Sequence, residues 1–362
     1  AVGVVATYVF HFVLFGVMAT RIGLGQLFLD LASSIAGRYA GGPAKVSVFG
    51  SALFGMLSGS SVANAVTVGS LTIPAMIRVG YKKHFAAAVE AASSTGGQIT
   101  PPVLGAAAFL MIEFLNVPYQ TIIAASVVPA FMHFFGVFMQ VHFEAKRYGL
   151  RGLTEDEMPR LAESLKMRWP TLIPLALLIS ILVSGRTPYL AAFVGISSCA
   201  IVGLSTKVSG NQLKNWGLMV VMHVILMTIA FSDFGNHNST IKLGLFALAV
   251  AVGAAAYIWV GVRGRIEAHV LIEALETGAK YALAVGAAAA TVGIVIGVVT
   301  LTGVGFKISY IITQAAQTIS AFMSGWIPAD WASLNTLTLL AALTMTGLVC
   351  ILMGCGVPTT AT

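Results

Sequence analysis

The residues with most chemistry to offer lie in two neighbouring stretches, Phe54 to Thr72, FGMLSGSSVANAVTVGSLT, and Ala92 to Val103, ASSTGGQITPPV. In the first, an apolar run breaks at Ser58-Gly59-Ser60-Ser61 and restarts through Asn64; in the second, a run breaks at Gly96-Gly97 and Pro101-Pro102. Both breaks free main-chain carbonyls beside side-chain oxygens. Within lipid, such backbone is tolerated only where it is buried or lines a cavity. Paired broken helices are a pointer to a transporter's substrate and ion site, because unwound backbone and helix C-termini suit a cation while helix N-termini suit a carboxylate. A plainer reading makes Ser58 to Ser61 a small-residue packing face between membrane helices. Four such residues between two half-length helices favour the site.

Glu90 precedes the second break. An ionisable group inside a span is a functional candidate for ion or proton handling, with snorkelling, or pairing with Lys82 or Lys83, as the alternative. His133, His142 and His223 have no ligand partners at helical spacing and read as packed or interfacial; Asp233, Asn236 and His237 read as solvated.

The elements that must position these residues follow from composition. With 57% hydrophobic residues, 9% charged ones and mean hydropathy +0.91, the 362-residue chain has too little polar surface for a soluble globule. Its apolar runs fit membrane helices, and the alternation of an outer-membrane barrel is missing. The expected fold is an all-α polytopic membrane protein in a lipid bilayer. The net charge of +7 comes from basic residues in short loops, so it marks orientation and not a nucleic-acid partner. Cys199, Cys350 and Cys355 have neither metal nor disulfide spacing and read as packing residues. No paired aspartates, zinc-binding helix motif or serine–histidine arrangement points to an enzyme, and no cofactor is expected.

In order, a first span (2–18), which reads as internal to a longer polypeptide, leads to a surface helix (25–36) carrying Gln26 and Asp30. A hairpin (about 44–80) follows, with arms at 44–57 and 63–77 each too short to cross alone. Arg38 and Lys45 flank its base on one side and Arg78, Lys82 and Lys83 on the other, so it enters and leaves on the cytoplasmic face and is re-entrant. A broken helix (about 85–115) goes out, 119–143 returns to the loop carrying Arg147, Arg151 and Arg160, and 170–184 and 189–204 form a further pair. A pair at 216–231 and 241–260, a surface helix at 266–278 and a span at 281–301 complete the middle. Thr302-Gly303-Val304-Gly305 with its following helix echoes Arg21 to Gly25, and Leu334 to Gly356 echoes Phe49 to Gly59. The echo predicts inverted repeats: 1–145 as the first, 146–262 as connecting scaffold, and 263–362 as the second, which stops at its hairpin tip.

SGSSVANAVTVGSLTIPAM, YKKHFAAAVEAASSTGGQITPPVLGAAAFLM, VHFEAKRYGLRGL, SGRTPYLAAF, and ALAVGAAAATVGIVIGVVTLTG with GCGVPTTAT resemble the large membrane subunit of tripartite ATP-independent periplasmic (TRAP) transporters. The resemblance spans most of the chain and is nearest the fused four-plus-twelve-helix type that works with TAXI binding proteins; residues 208–262 look like an addition. It implies a sodium-driven elevator permease in a bacterial or archaeal inner membrane. A small organic anion would be delivered by a TAXI-like periplasmic substrate-binding protein, with a small membrane subunit fused upstream. Sodium is then expected at Ser58, Gly59, Ser60, Ser61, Asn64, Thr95 and Gly96, with Gly356, Val357 and Pro358 from the second tip. The substrate carboxylate is expected at Ser60, Ser61, Gly97, Thr100, Thr359 and Thr360. The alternative is a stand-alone proton- or sodium-coupled carrier with the same hairpins.

Overall fold

The computed structural model describes residues 2–206, 212–231, 268–326 and 333–354, and among these it is helical without strands. Among the described residues, five stretches are long and apolar enough to cross a bilayer, or six if one bent pair counts as a span. This is an all-α, multi-pass membrane protein. Contacts divide it into a larger unit, Gly3–Leu283, and a smaller one beginning at Ala284.

In the larger unit a π-helical turn, Val5–Val9, leads into α1, Phe10–Arg21. Gly23, with φ 99°, adopts a left-handed conformation that lets the chain turn by 69° into α2, Leu24–Ala36. From the sequence, the helix that carries Asp30 is expected to lie at the membrane surface. Instead Asp30 is buried, accepting a hydrogen bond from Gln26 Nε2 at 2.9 Å, because α2 packs along α3, Gly42–Ser58.

The hairpin pairs α3 with α4, Ser61–Val79. Its second arm is longer than expected: capping by Ser60 starts it at Ser61, and Gly80 (φ 112°) closes the end by donating to the Ile77 and Met76 carbonyls. At 19 residues α4 is long enough to cross a bilayer by length and hydropathy alone. The broken helix comprises α5, Lys83–Gly96, a 3-10 turn at Gly97–Ile99, and α6, Ala106–Leu115. Asn116 (φ 51°) turns the chain into α7, Tyr119–Arg147. One apolar cluster, Ala44, Val48, Met76, Tyr81, Ala86, Val89, Val141 and Ala145, joins α3, α4, α5 and α7 into a block. The hairpin base is also tied to the following loop, since Leu153 N–H donates to the Gly37 carbonyl (2.8 Å) and Gly41 N–H to that of Leu150 (3.2 Å).

Four helices continue the unit: α8, Leu161–Arg168; α9, Leu172–Val183; α10, Pro188–Thr206; and α11, Gln212–Phe231. The expected span at 241–260 and the loop with Asp233, Asn236 and His237 lie outside the described residues. The surface helix at 266–278 and the span at 281–301 are one helix, α12, Ala268–Thr302. A lone glycine, Gly278, costs a helix only about 1 kcal/mol and does not end it; here it lies against Leu14.

In the smaller unit, Gly303 (φ 66°) separates α12 from α13, Val304–Ser324, as Gly23 separates α1 from α2. α13 packs on α14, Leu334–Gly354, with Ser320 Oγ and Thr338 Oγ1 at 2.8 Å.

Candidate functional site at the paired helix breaks

The first break is compact. Gly59, at φ 56°, ends α3 with its N–H on the Gly55 carbonyl, and Ser60 in an extended conformation caps α4, its Oγ accepting from Ala63 N–H at 3.3 Å. Ser58 Oγ accepts from Ser60 N–H at 3.3 Å. Both serines therefore serve the local turn as well as facing outward, half-buried.

The second break holds a longer non-helical segment than expected. The helix restarts at Ala106, beyond Pro101 and Pro102, which lack N–H groups and disfavour helix in the residues before them. Tyr119, fully buried and stacked on Phe109 at 4.8 Å, spans this segment: its hydroxyl donates to the Pro102 carbonyl (3.0 Å) and accepts from Leu104 N–H (3.3 Å). Gly105 N–H returns to the Gln98 carbonyl at 2.7 Å.

The two breaks lie against each other. A Cβ on Gly55 would fall 2.4 Å from Gly97 Cα, and one on Gly59 would fall 2.5 Å from the Leu104 carbonyl oxygen, so the backbones are in direct contact. Gln98 Nε2 crosses between them to Ser61 Oγ at 2.6 Å. Asn64, fully buried beside Gly97, donates from Nδ2 to the Ser51 carbonyl at 2.9 Å, while its Oδ1 has no partner. That oxygen is an orphaned acceptor, and such an atom costs free energy unless a ligand or cation satisfies it.

The residues singled out in the sequence are thus sorted. Ser58, Gly59, Ser60, Ser61, Asn64 and Gly97 come together at the junction. Thr100 is buried, its hydroxyl donating to the Gly96 carbonyl at 2.8 Å. Gly96 faces the other way, toward His133 and Phe134 of α7, and Thr95 is exposed with its hydroxyl on the Ala91 carbonyl. The reason is helical pitch: neighbours on α5 point about 100° apart. Gly356, Val357, Pro358, Thr359 and Thr360 lie outside the described residues.

Glu90 is neither snorkelling nor paired with lysine. It is 2% exposed and surrounded by hydroxyls from three helices: Ser47 (2.8 Å) and Ser51 (3.4 Å) of α3, Thr72 (2.5 Å) of α4 and Ser94 (2.8 Å) of α5. Gly69 leaves the space for its Cγ, where a Cβ would approach to 2.8 Å. The sequence reading missed these four hydroxyls and Gln98. The signal for Ser47 and Ser51 was their i, i+4 spacing on one face of α3.

Of the histidines, His133 Nε2 pairs with the Ala92 carbonyl (3.0 Å), His142 with Lys45 Nζ (3.1 Å) and His223 with Ser198 Oγ (2.7 Å), consistent with packing roles. Cys199 is buried and Cys350 exposed, both unpaired. No cluster of metal-ligating side chains occurs among the described residues.

A multi-pass helical protein with two helix breaks in contact inside the membrane-embedded bundle has the build of a membrane transport protein. The chain matches the family model for the DctM component of tripartite ATP-independent periplasmic transporters over residues 1–234 and 206–362, and it belongs to that family, whose members are transporters and not enzymes. Among curated relatives it is similar to the isethionate TRAP transporter permease protein DctMQ of Oleidesulfovibrio alaskensis, 30% identical over 51% of this chain and 30% of the relative. It also resembles the sialic acid TRAP transporter permease protein SiaT of Haemophilus influenzae, 26% identical over 62% and 37%. The C4-dicarboxylate TRAP transporter large permease protein DctM of Pseudomonas aeruginosa is 29% identical over 53% and 45%. The chain thus spans about a third to a half of the length of these relatives.

Proposed function

We propose that this chain is the permease part of a sodium-driven secondary transporter that imports a small organic anion across the inner membrane. A periplasmic substrate-binding protein of the TAXI type delivers the anion, and a small membrane subunit fused to the permease completes the complex. The observation that carries this reading is the junction of the two breaks, with the orphaned Asn64 Oδ1 beside the α3 C-terminus and the cap of α4. Carbonyls at the α3 and α5 ends, with Asn64 and the serine hydroxyls, offer hard oxygens to sodium, while the α4 and α6 N-termini offer N–H groups to a carboxylate. Isethionate, sialic acid and C4-dicarboxylates, for which these relatives are named, each carry an anionic group.

The hairpin, α5 and α7 share one apolar core. They move as one block in an elevator cycle that carries the site between faces. The test is the melting temperature of the purified protein in sodium against potassium at equal ionic strength, for the wild type and Asn64→Ala. Sodium at a hundred times its dissociation constant stabilises by about 2.7 kcal/mol. A sodium-specific rise that Asn64→Ala abolishes supports the reading; an equal melting temperature in both salts at every concentration refutes sodium binding here.

A further inference from the structure

Glu90 is the one buried carboxylate in the hairpin block, and the mechanism above gives it no task. Its surroundings are unusual in a way that hydrogen counting makes plain. Thr72 Oγ1 carries one hydrogen but lies within bonding distance of two acceptors, the Val68 carbonyl at 3.0 Å and Glu90 Oε2 at 2.5 Å. When that hydrogen points to Glu90, the ionised carboxylate accepts from Ser47, Ser51, Thr72 and Ser94. When it points to Val68, the Glu90–Thr72 contact is completed by a hydrogen on Glu90 itself, which is then the neutral acid. Both protonation states are satisfied without moving a heavy atom.

Thr72 also has a second surface. It lines a cavity of about 500 Å³ at the hairpin base, together with Asp30, Arg78, Asp156 and Glu157. Water in that cavity therefore has a one-residue path to the carboxylate. The other ionisable groups on elements packed against Glu90 are engaged elsewhere or exposed. On α3, Lys45 pairs with His142 and lies over the rings of Tyr39 and Phe138. On α5, Lys83 and His84 are exposed, and on α4 so is Arg78. On α7, His133 bonds the Ala92 carbonyl, and Glu144 pairs with Arg147 near Lys146 at the far end. No cationic side chain pairs with Glu90 among the described residues.

We propose that Glu90 is a proton-carrying site of the transport block, exchanging its proton with the hairpin-base cavity through Thr72. The inference rests on the transporter reading above. One proton from water binds the Glu90 carboxylate on one side of the membrane and returns to water on the other; only the O–H bond forms and breaks. Ser51 links this site to the junction, because its hydroxyl bonds Glu90 and its carbonyl accepts from Asn64. Loss or gain of the proton is thereby felt at the helix breaks.

Infrared difference spectroscopy of the purified protein, taken from acid to alkaline pH, tests it directly. The wild type is expected to show a protonated-carboxyl band that bleaches as pH rises, and Glu90→Gln, an isostere of the neutral acid, is expected to lose it. Identical difference spectra in the two proteins overturn the proposal. Should Glu90→Gln fail to fold, Thr72→Val carries the test: the band's midpoint pH is expected to move, and an unmoved midpoint overturns the Thr72 route. In vesicles that carry the complete complex, with its binding protein outside and a pH dye inside, succinate uptake that proceeds without acidification also overturns proton carriage. Absence of uptake of succinate, isethionate and sialic acid alike, with the titrating band retained, overturns the transporter reading and leaves Glu90 as a titrating site.

Discussion

At the residue scale, the junction depends on groups that satisfy one another inside a bundle where water cannot substitute. Tyr119 is the clearest case, since one hydroxyl serves the Pro102 carbonyl and the Leu104 N–H of a segment that has no helical hydrogen bonds of its own. Tyr119→Phe keeps the ring stack on Phe109 but strands two buried backbone groups. Each such group costs about 1–3 kcal/mol, so the expected outcome for the two together is a loss of about 2–6 kcal/mol, read as a lower thermal midpoint. An unchanged midpoint would mean that this segment is held by its ends alone. Asn64 illustrates the opposite situation. Its Nδ2 is used and its Oδ1 is not, which is how a residue can be fixed by the fold and still present an oxygen to a guest.

At the scale of elements, the contact between the two breaks is made by glycines, and here the reason is distance. Gly55 and Gly97 bring two backbones together where a methyl group would sit 2.4 Å from a Cα. Gly55→Ala therefore has to push the hairpin off the broken helix. Overpacking of this kind costs about 1–3 kcal/mol, and transport should fall more steeply than stability, because the movement is in the plane of the site. Retained uptake alongside an unchanged melting temperature would show that the contact is not needed. Gly59→Ala meets both a close carbonyl and a left-handed backbone, so it is expected to be at least as damaging.

At the scale of the whole molecule, orientation follows from the basic loops. The segment from the end of α7 to the end of α8 carries Arg147, Arg151, Arg160, Lys166 and Arg168, whereas the short turn between α9 and α10 holds only Arg186. With the native cysteines replaced, a cysteine at exposed Glu155 is expected to react with a membrane-impermeant thiol reagent only from the cytoplasmic side. One at exposed Thr187 is expected to react only from the outside. Reversed labelling would invert the topology, and would make the cavity beside Thr72 an entrance from the outer face.

The class, the breaks and most of the helices are legible in the sequence. Apolar runs of membrane length, breaks rich in glycine, serine and proline, and basic loops are local signals, and membrane burial makes them unusually sharp, since an unsatisfied backbone group is so costly in lipid. Helix joints were less legible. The continuity of α12 through Gly278 and the late restart at Ala106 depend on what packs against the chain and on how far two adjacent prolines disturb it. What only the tertiary structure decided is which oxygens meet. Ser47, Ser51, Thr72 and Ser94 are ordinary helix hydroxyls in sequence, and they become a cage for Glu90 because three helices pack with those faces inward. Gly96 and Gly97 are adjacent in sequence, yet one faces α7 and the other faces Asn64. The physical reason is the same in both cases: periodicity says which residues share a face, but the partner of that face is set by packing between helices distant in the chain.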